Sequence, residues 1–184
     1  MAKQQRLDAR HGRAGVRWTI GVRVSADCDR VTGALVASGG SGLAMRPEIA
    51  DVATLDVSQG TTELFRQLTS PGIGRADSDV VDEIAGLRAR LAEAEALVVG
   101  HLLTGAGISP TELSAVGVDD PGLWSGGASG AGGYLGLCDP ARLAELTDAN
   151  VVDAFPARDV ARGGQGGPIT AVAEWILLRD CLLY

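Results

Sequence analysis

A chain of 184 residues with 46% hydrophobic side chains is long enough for one folded unit with a sizeable core. With 4% aromatic residues, that core must be built from Val, Leu, Ile and Ala, and the net charge of −7 argues against nucleic acid as a partner. No stretch reaches the ~18 uncharged apolar residues of a membrane span, which argues against a membrane partner as well.

Residues 1–16 carry Lys3, Arg6, Arg10, His11 and Arg13 and read as a disordered, solvated basic tail. The apolar patch that follows, 18–22, is cut by Arg23 and is too short for a secretory leader. Cys28, Cys138 and Cys181 are odd in number and lack metal-type spacing, so free thiols in a reducing cytoplasm and no metal site are expected. From 17 to 184 a single α/β unit is expected.

Two β-rich runs, 16–25 and 31–37, are joined by the polar turn 26–30, which predicts a hairpin. The segment 38–54 is rich in Gly, Ser, Ala and Pro and reads as a loop with a short strand near 49–55. A short helix is predicted through 63–68, with Thr61 or Thr62 as N-cap and Pro71-Gly72 as stop. The clearest helix spans 79–104: Val80, Ile84, Leu87, Leu91, Ala94, Val98 and Leu102 recur at steps of three and four and form a core stripe. Ser78 is its expected N-cap, Gly105 or Gly107 its stop, and His101 a partly buried helix residue.

A short turn or helix at 109–113 precedes a strand at 115–118, after which Asp119 and Asp120 read as a polar turn or as a carboxylate pair for acid/base work or a hard cation. The run 124–133 reads by composition as a flexible, linker-like loop. Asp139-Pro140 supplies an N-cap and a first-position proline for a helix through 141–147. Val151-Val152 reads as a strand delivering the Arg158-Asp159 turn and then a nearly side-chain-free loop. There the amides of 163–167 can converge on an oxygen-rich ligand, with Gln165 as a handle and Asp159 as a base beside it; the bland reading is a Gly-rich connection with a solvated ion pair. A terminal amphipathic helix is predicted over 169–183, with Val172, Trp175, Ile176 and Leu182 or Leu183 toward the core.

The ordered set Asp139-Pro140, Leu143-Ala144-Glu145 with Thr147, Val151-Val152, Phe155 with Asp159-Val160-Ala161, and Gly163-Gly164-Gln165-Gly166 with Pro168 resembles the pattern "GDP", "LAE.T", "VV", "F...DVA" and "GGQG.P" of the anhydro-N-acetylmuramic acid kinases. Weaker similarity reaches back to about Ile20. The resemblance implies an actin/hexokinase/Hsp70-like (ribonuclease H-like) ATPase fold in two lobes. This chain corresponds to the first and stops at Tyr184, where relatives continue into the second.

The resemblance further implies ATP and Mg as cofactors, an amino sugar as small-molecule partner, and a reaction in which an aspartate activates the water that opens the 1,6-anhydro bridge before O6 is phosphorylated. Asp159 matches the catalytic position, with Arg158, Gly163, Gly164, Gln165 and Gly166 on the substrate side. The first acidic position of that segment falls on Ala154, with Asp153 displaced by one residue. In the family's phosphate turn, "GLMSGTSLDGVD", only Gly21 and Asp29 are matched; Val24, Ala26 and Asp27 replace small donors, and Arg23 and Arg30 stand nearby. The family's "SHGQT" cluster falls on 118–122, where Val118, Asp119 and Asp120 replace it. Three readings follow: a kinase-family protein active only with a separate second lobe, an inactive pseudoenzyme that keeps a sugar or partner site, and an interaction module whose apolar C-terminus packs on another lobe or a second copy.

Overall fold

The computed structural model describes residues 15–70, 77–125 and 132–178. The basic tail up to residue 14, the Pro71-Gly72 stop, residues 126–131 of the expected linker, and Leu182 and Leu183 lie outside the described residues.

Strand β1 (Arg17–Val24) buries every second side chain, Trp18, Ile20, Val22 and Val24, as period-2 patterning requires of a strand with one core face. It pairs antiparallel with β2 (Arg30–Gly39), which pairs antiparallel with β3 (Arg46–Asp56). The polar segment expected to be mostly loop is therefore largely strand. Pairing along the whole of β2 overrides its weak local propensity, and Pro47 is tolerated because β3 is an edge strand.

Two helices follow, α1 (Gln59–Thr69) and α2 (Asp77–Ala106), before the chain returns as β4 (Leu113–Asp119), parallel to β1. Helix α1 begins beside Ser58 rather than at Thr61 or Thr62. Those two threonines have other work: Thr61 is buried, and the Thr62 hydroxyl donates to the Cys28 carbonyl across the β1–β2 turn (3.1 Å). Helix α2 starts one residue ahead of Ser78 and ends before Gly107, whose φ of +67° stops it. It lays Leu87, Leu91, Ala94, Val98 and Leu102 on the sheet, whereas His101 is exposed, contrary to expectation. Close approach needs Gly33 on β2, where a Cβ would stand 2.5 Å from Val98 Cγ1 and 3.0 Å from Leu102 Cδ1.

Beyond β4 come β5 (Leu123–Ser125) and β6 (Gly133–Leu135), an antiparallel pair with Trp124 opposite Tyr134, so the flanks of the expected flexible loop are ordered. Helix α3 (Pro140–Thr147) is capped as expected, the Asp139 side chain accepting from the Arg142 amide at 3.1 Å. Strand β7 (Val151–Val152) adds to β4 in parallel, and α4 (Phe155–Ala161) and α5 (Ala171–Leu178) follow. The five-stranded sheet has the order β3-β2-β1-β4-β7. Helix α5 does not turn its apolar face to the core: Val172 is 63% and Trp175 48% exposed, because the core side of the sheet is already filled by α2. Instead α5 touches β3 and, with Leu43, borders a shallow apolar pocket of about 230 Å³.

Candidate functional site

The parallel strands β4 and β7 end side by side, and everything polar of interest gathers at that end. The two aspartates after Val118 part company. Asp119 points out and pairs with Arg23 at 3.6 Å, and burial raises its carboxyl above the usual range while Arg23 opposes that. Asp120 turns in, 7% exposed, and its Oδ1 accepts from the amides of Gly122 (2.8 Å) and Leu137 (2.9 Å) while Oδ2 accepts from Cys138 (3.0 Å). Burial first, then the charge of this carboxylate, raises the hydroxyl of Tyr134 above its usual range. The polar turn expected here is formed, but buried: Asp120 closes it on the Gly122 amide and is also an anchor that ties the β4 end to the segment leading into α3. The sequence signal was present in Asp120-Pro121-Gly122, an Asx-type turn, but its partners Leu137 and Cys138 are not local.

Anchoring propagates outward. Tyr134 stands against Trp124 with ring centroids 4.8 Å apart and planes tilted by 60°, and the Trp124 Nε1–H donates to the Pro121 carbonyl at 2.8 Å. Trp124 in turn closes over Gly166, where a Cβ would run into the indole and into Pro156. Phe155 lies on Gly117 in the middle of β4, its Cζ 3.6 Å from where a Cβ would stand.

Asp159 sits on α4, not in a turn, and its relation to the glycines differs from the expected one. Its Oδ2 accepts from the Gly166 amide at 2.7 Å, its carbonyl from the amides of Arg162 (3.0 Å) and Gly164 (2.9 Å), and the Gly163 amide reaches Val160 O (2.9 Å). The loop amides of Gly163, Gly164 and Gly166 thus converge on the end of α4 and on Asp159 itself rather than on an open anion site. A Cβ on Gly164 would fall on the Asp159 carboxylate, so glycine there is a condition for this arrangement. Arg158 and Gln165 are exposed, and a carboxylate holding one N–H keeps acceptor capacity for a further donor. Asp153 is half-buried near Asp120; burial first, then the Asp120 charge, raises its carboxyl.

A second cluster lies beneath. Glu95 of α2 is 0% exposed; the Cys138 thiol donates to its Oε2 (3.8 Å), and Oε1 has no hydrogen-bond partner among the described residues. Burial, then the charge of Asp120, pushes Glu95 up to about 8, the Cys138 contact opposing. Burial likewise pushes the Cys28 thiol up to about 12 and raises Cys138. The Arg88 guanidinium donates twice to the Cys138 carbonyl, at 3.1 and 2.7 Å. Sequence reading sets Glu95 off the apolar stripe with the other charged residues of the helix, but it stands four residues after Leu91 and three before Val98 and shares their buried face.

Gly21 and Asp29, the expected cofactor contacts, are not brought together. Gly21 is mid-strand in β1, opposite Ala34 and Gly117, while Asp29 is in the β1–β2 turn. That turn is closed on itself. The Ser25 Oγ accepts from the amides of Asp29 (3.1 Å) and Arg30 (3.0 Å), its hydroxyl donates to Asp29 Oδ1 (2.6 Å), and the Cys28 amide reaches Ser25 O (2.9 Å). Arg23 is engaged by Asp119 and Arg30 by Asp56 (3.3 Å). With its donors turned inward and Asp27 and Asp29 presenting like charge, the turn does not fit the phosphates of a nucleotide. No group of three or more metal-ligating side chains occurs among the described residues.

An antiparallel β1–β2–β3 meander, a crossover through α2, and parallel β4 and β7 define a lobe of the sugar kinase and actin-like ATPase class. The family model of anhydro-N-acetylmuramic acid kinase matches residues 48–182, and the chain belongs to that family. It is 32% identical over 137 residues to the enzyme of that name from Nitrosospira multiformis, covering 74% of this chain and 36% of the relative. It is 27% identical over 170 residues to that of Caldanaerobacter subterraneus subsp. tengcongensis (89% and 42%), and 33% over 154 residues to that of Bordetella pertussis (83% and 38%). The chain therefore spans about two fifths of the curated relatives it matches.

Proposed function

We propose that this chain is the sugar-facing part of an anhydro-N-acetylmuramic acid kinase that does not by itself transfer phosphate. The observation that carries the reading is the Asp159 carboxylate, on the exposed end of α4 and oriented by the Gly166 amide, within the stretch that matches the family. In the proposed role Asp159 accepts the proton of the water that opens the 1,6-anhydro bridge, with Arg158, Gln165 and the glycines of the loop beside the sugar. ATP and Mg²⁺ are what the family name implies, but the β1–β2 turn, closed on Ser25, offers them no fitting cradle. Losing one preorganised donor costs roughly 2.7–4 kcal/mol of barrier, and phosphoryl transfer rests almost wholly on such positioning.

Calorimetric titration with 1,6-anhydro-N-acetylmuramic acid and, separately, with ATP tests this. Heat from the sugar, none from ATP and no ATP-dependent sugar phosphorylation are expected. Phosphorylation by the purified chain overturns the inactive reading, and absence of sugar binding overturns the site.

A second reading is an interaction module, favoured by the exposure of Val172, Trp175, Leu177 and Leu178 on α5. Another lobe or a second copy would cover that face, and self-association in sedimentation without either ligand supports it. No helix among the described residues is long and apolar enough to cross a membrane, and the buried free thiols of Cys28 and Cys138 suit the cytoplasm we propose.

A further inference from the structure

We infer that Trp124 is a sugar-stacking platform, the surface on which a pyranose ring lies while its reacting bridge reaches Asp159. The inference deepens the proposed function and rests on it. Trp124 is 52% exposed, yet it is not a loose surface side chain. Its indole N–H is fixed on the Pro121 carbonyl, and Tyr134 braces it with ring centroids 4.8 Å apart at a 60° tilt. The six-membered ring meets Gly166, whose own amide holds the Asp159 carboxylate at 2.7 Å. An aromatic ring held rigid in water next to a candidate base has one evident use: to receive the C–H face of a flat, hydroxylated ligand. Two χ angles already locked by packing leave little ordering cost for such a contact. Asp159 then meets the ligand edge-on, where bridge and hydroxyl oxygens project.

Chain order hides this constellation, because Trp124, Tyr134, Asp159 and Gly166 come from a two-stranded sheet, a helix and a loop.

The test uses the whole chain, with tryptophan fluorescence and calorimetry as parallel readouts and 1,6-anhydro-N-acetylmuramic acid and N-acetylglucosamine as the probes. Wild type is expected to bind the anhydro sugar with a fluorescence change. Trp124→Phe should keep the affinity within about threefold but lose that change, and Trp124→Ala should weaken binding about tenfold, as loss of an aromatic face predicts, while still unfolding in one cooperative urea transition. Wild-type affinity in Trp124→Ala overturns the platform and leaves the Asp159 reading standing. If N-acetylglucosamine binds through Trp124 and the anhydro sugar does not, the platform stands and the family substrate falls. Binding of neither sugar overturns both.

Discussion

Replacing Glu95 by Gln should abolish a loss of stability that the wild-type chain suffers as the solution is made alkaline. In the unfolded chain this carboxyl ionises near its usual 4.5; in the fold, buried and facing the charge of Asp120, it ionises near 8. The native state therefore holds the proton more tightly. Below pH 4.5 the acid is neutral in both states and its contribution is intact, between 4.5 and 8 stability falls as pH rises, and above 8 the loss is complete. At about 1.4 kcal/mol for each pH unit crossed, the gap amounts to about 5 kcal/mol, a large share of the roughly 5–15 kcal/mol that holds a domain together. Asp119 and Asp153, also raised by burial, add slope of the same sign, but both remain in the variant. The difference between the two proteins thus isolates Glu95. Urea unfolding at pH 5 through 9 reads it: with a slope of about 2 kcal/mol/M, the Glu95→Gln midpoint should exceed wild type by about 2 M at pH 9 and by no more than about 0.5 M at pH 5. Wild-type and variant curves running parallel across that range would refute a buried, proton-holding Glu95.

Asp120→Asn should cost about 3 kcal/mol in the same assay, because one carboxylate oxygen becomes an NH₂ donor facing a backbone amide and the remaining bonds lose their charge assistance; a change below about 1 kcal/mol would remove Asp120 as the anchor. The thiols of Cys28 and Cys138, both raised by burial, should resist alkylation at pH 8.5 in the native chain and react at once in urea, as followed by mass spectrometry of the labelled peptides. Native labelling at the denatured rate would show that the segment 136–139 is open.

What the chain determined locally is the part of the fold whose causes lie within a few residues. Alternation of Trp18, Ile20, Val22 and Val24 makes β1 a half-buried strand, the Leu87-to-Leu102 stripe makes α2 a core helix, and Asp139-Pro140 starts α3. The run of motifs from Asp139 to Pro168 carried the family as well. Tertiary structure decided the rest, because its causes are contacts between residues far apart in the chain. Asp120 became a buried anchor only when the amides of Leu137 and Cys138 came to it, and Glu95 a buried acid only when Cys138 covered it. The glycines at 163, 164 and 166 announce a permissive backbone in any reading, yet where their N–H groups point depends on α4 placing the Asp159 carboxylate under Gly166. Composition likewise registered a glycine-rich run at 124–133 but not the pairing of Trp124 with Tyr134, since hydrogen bonding across strands does not depend on local propensity.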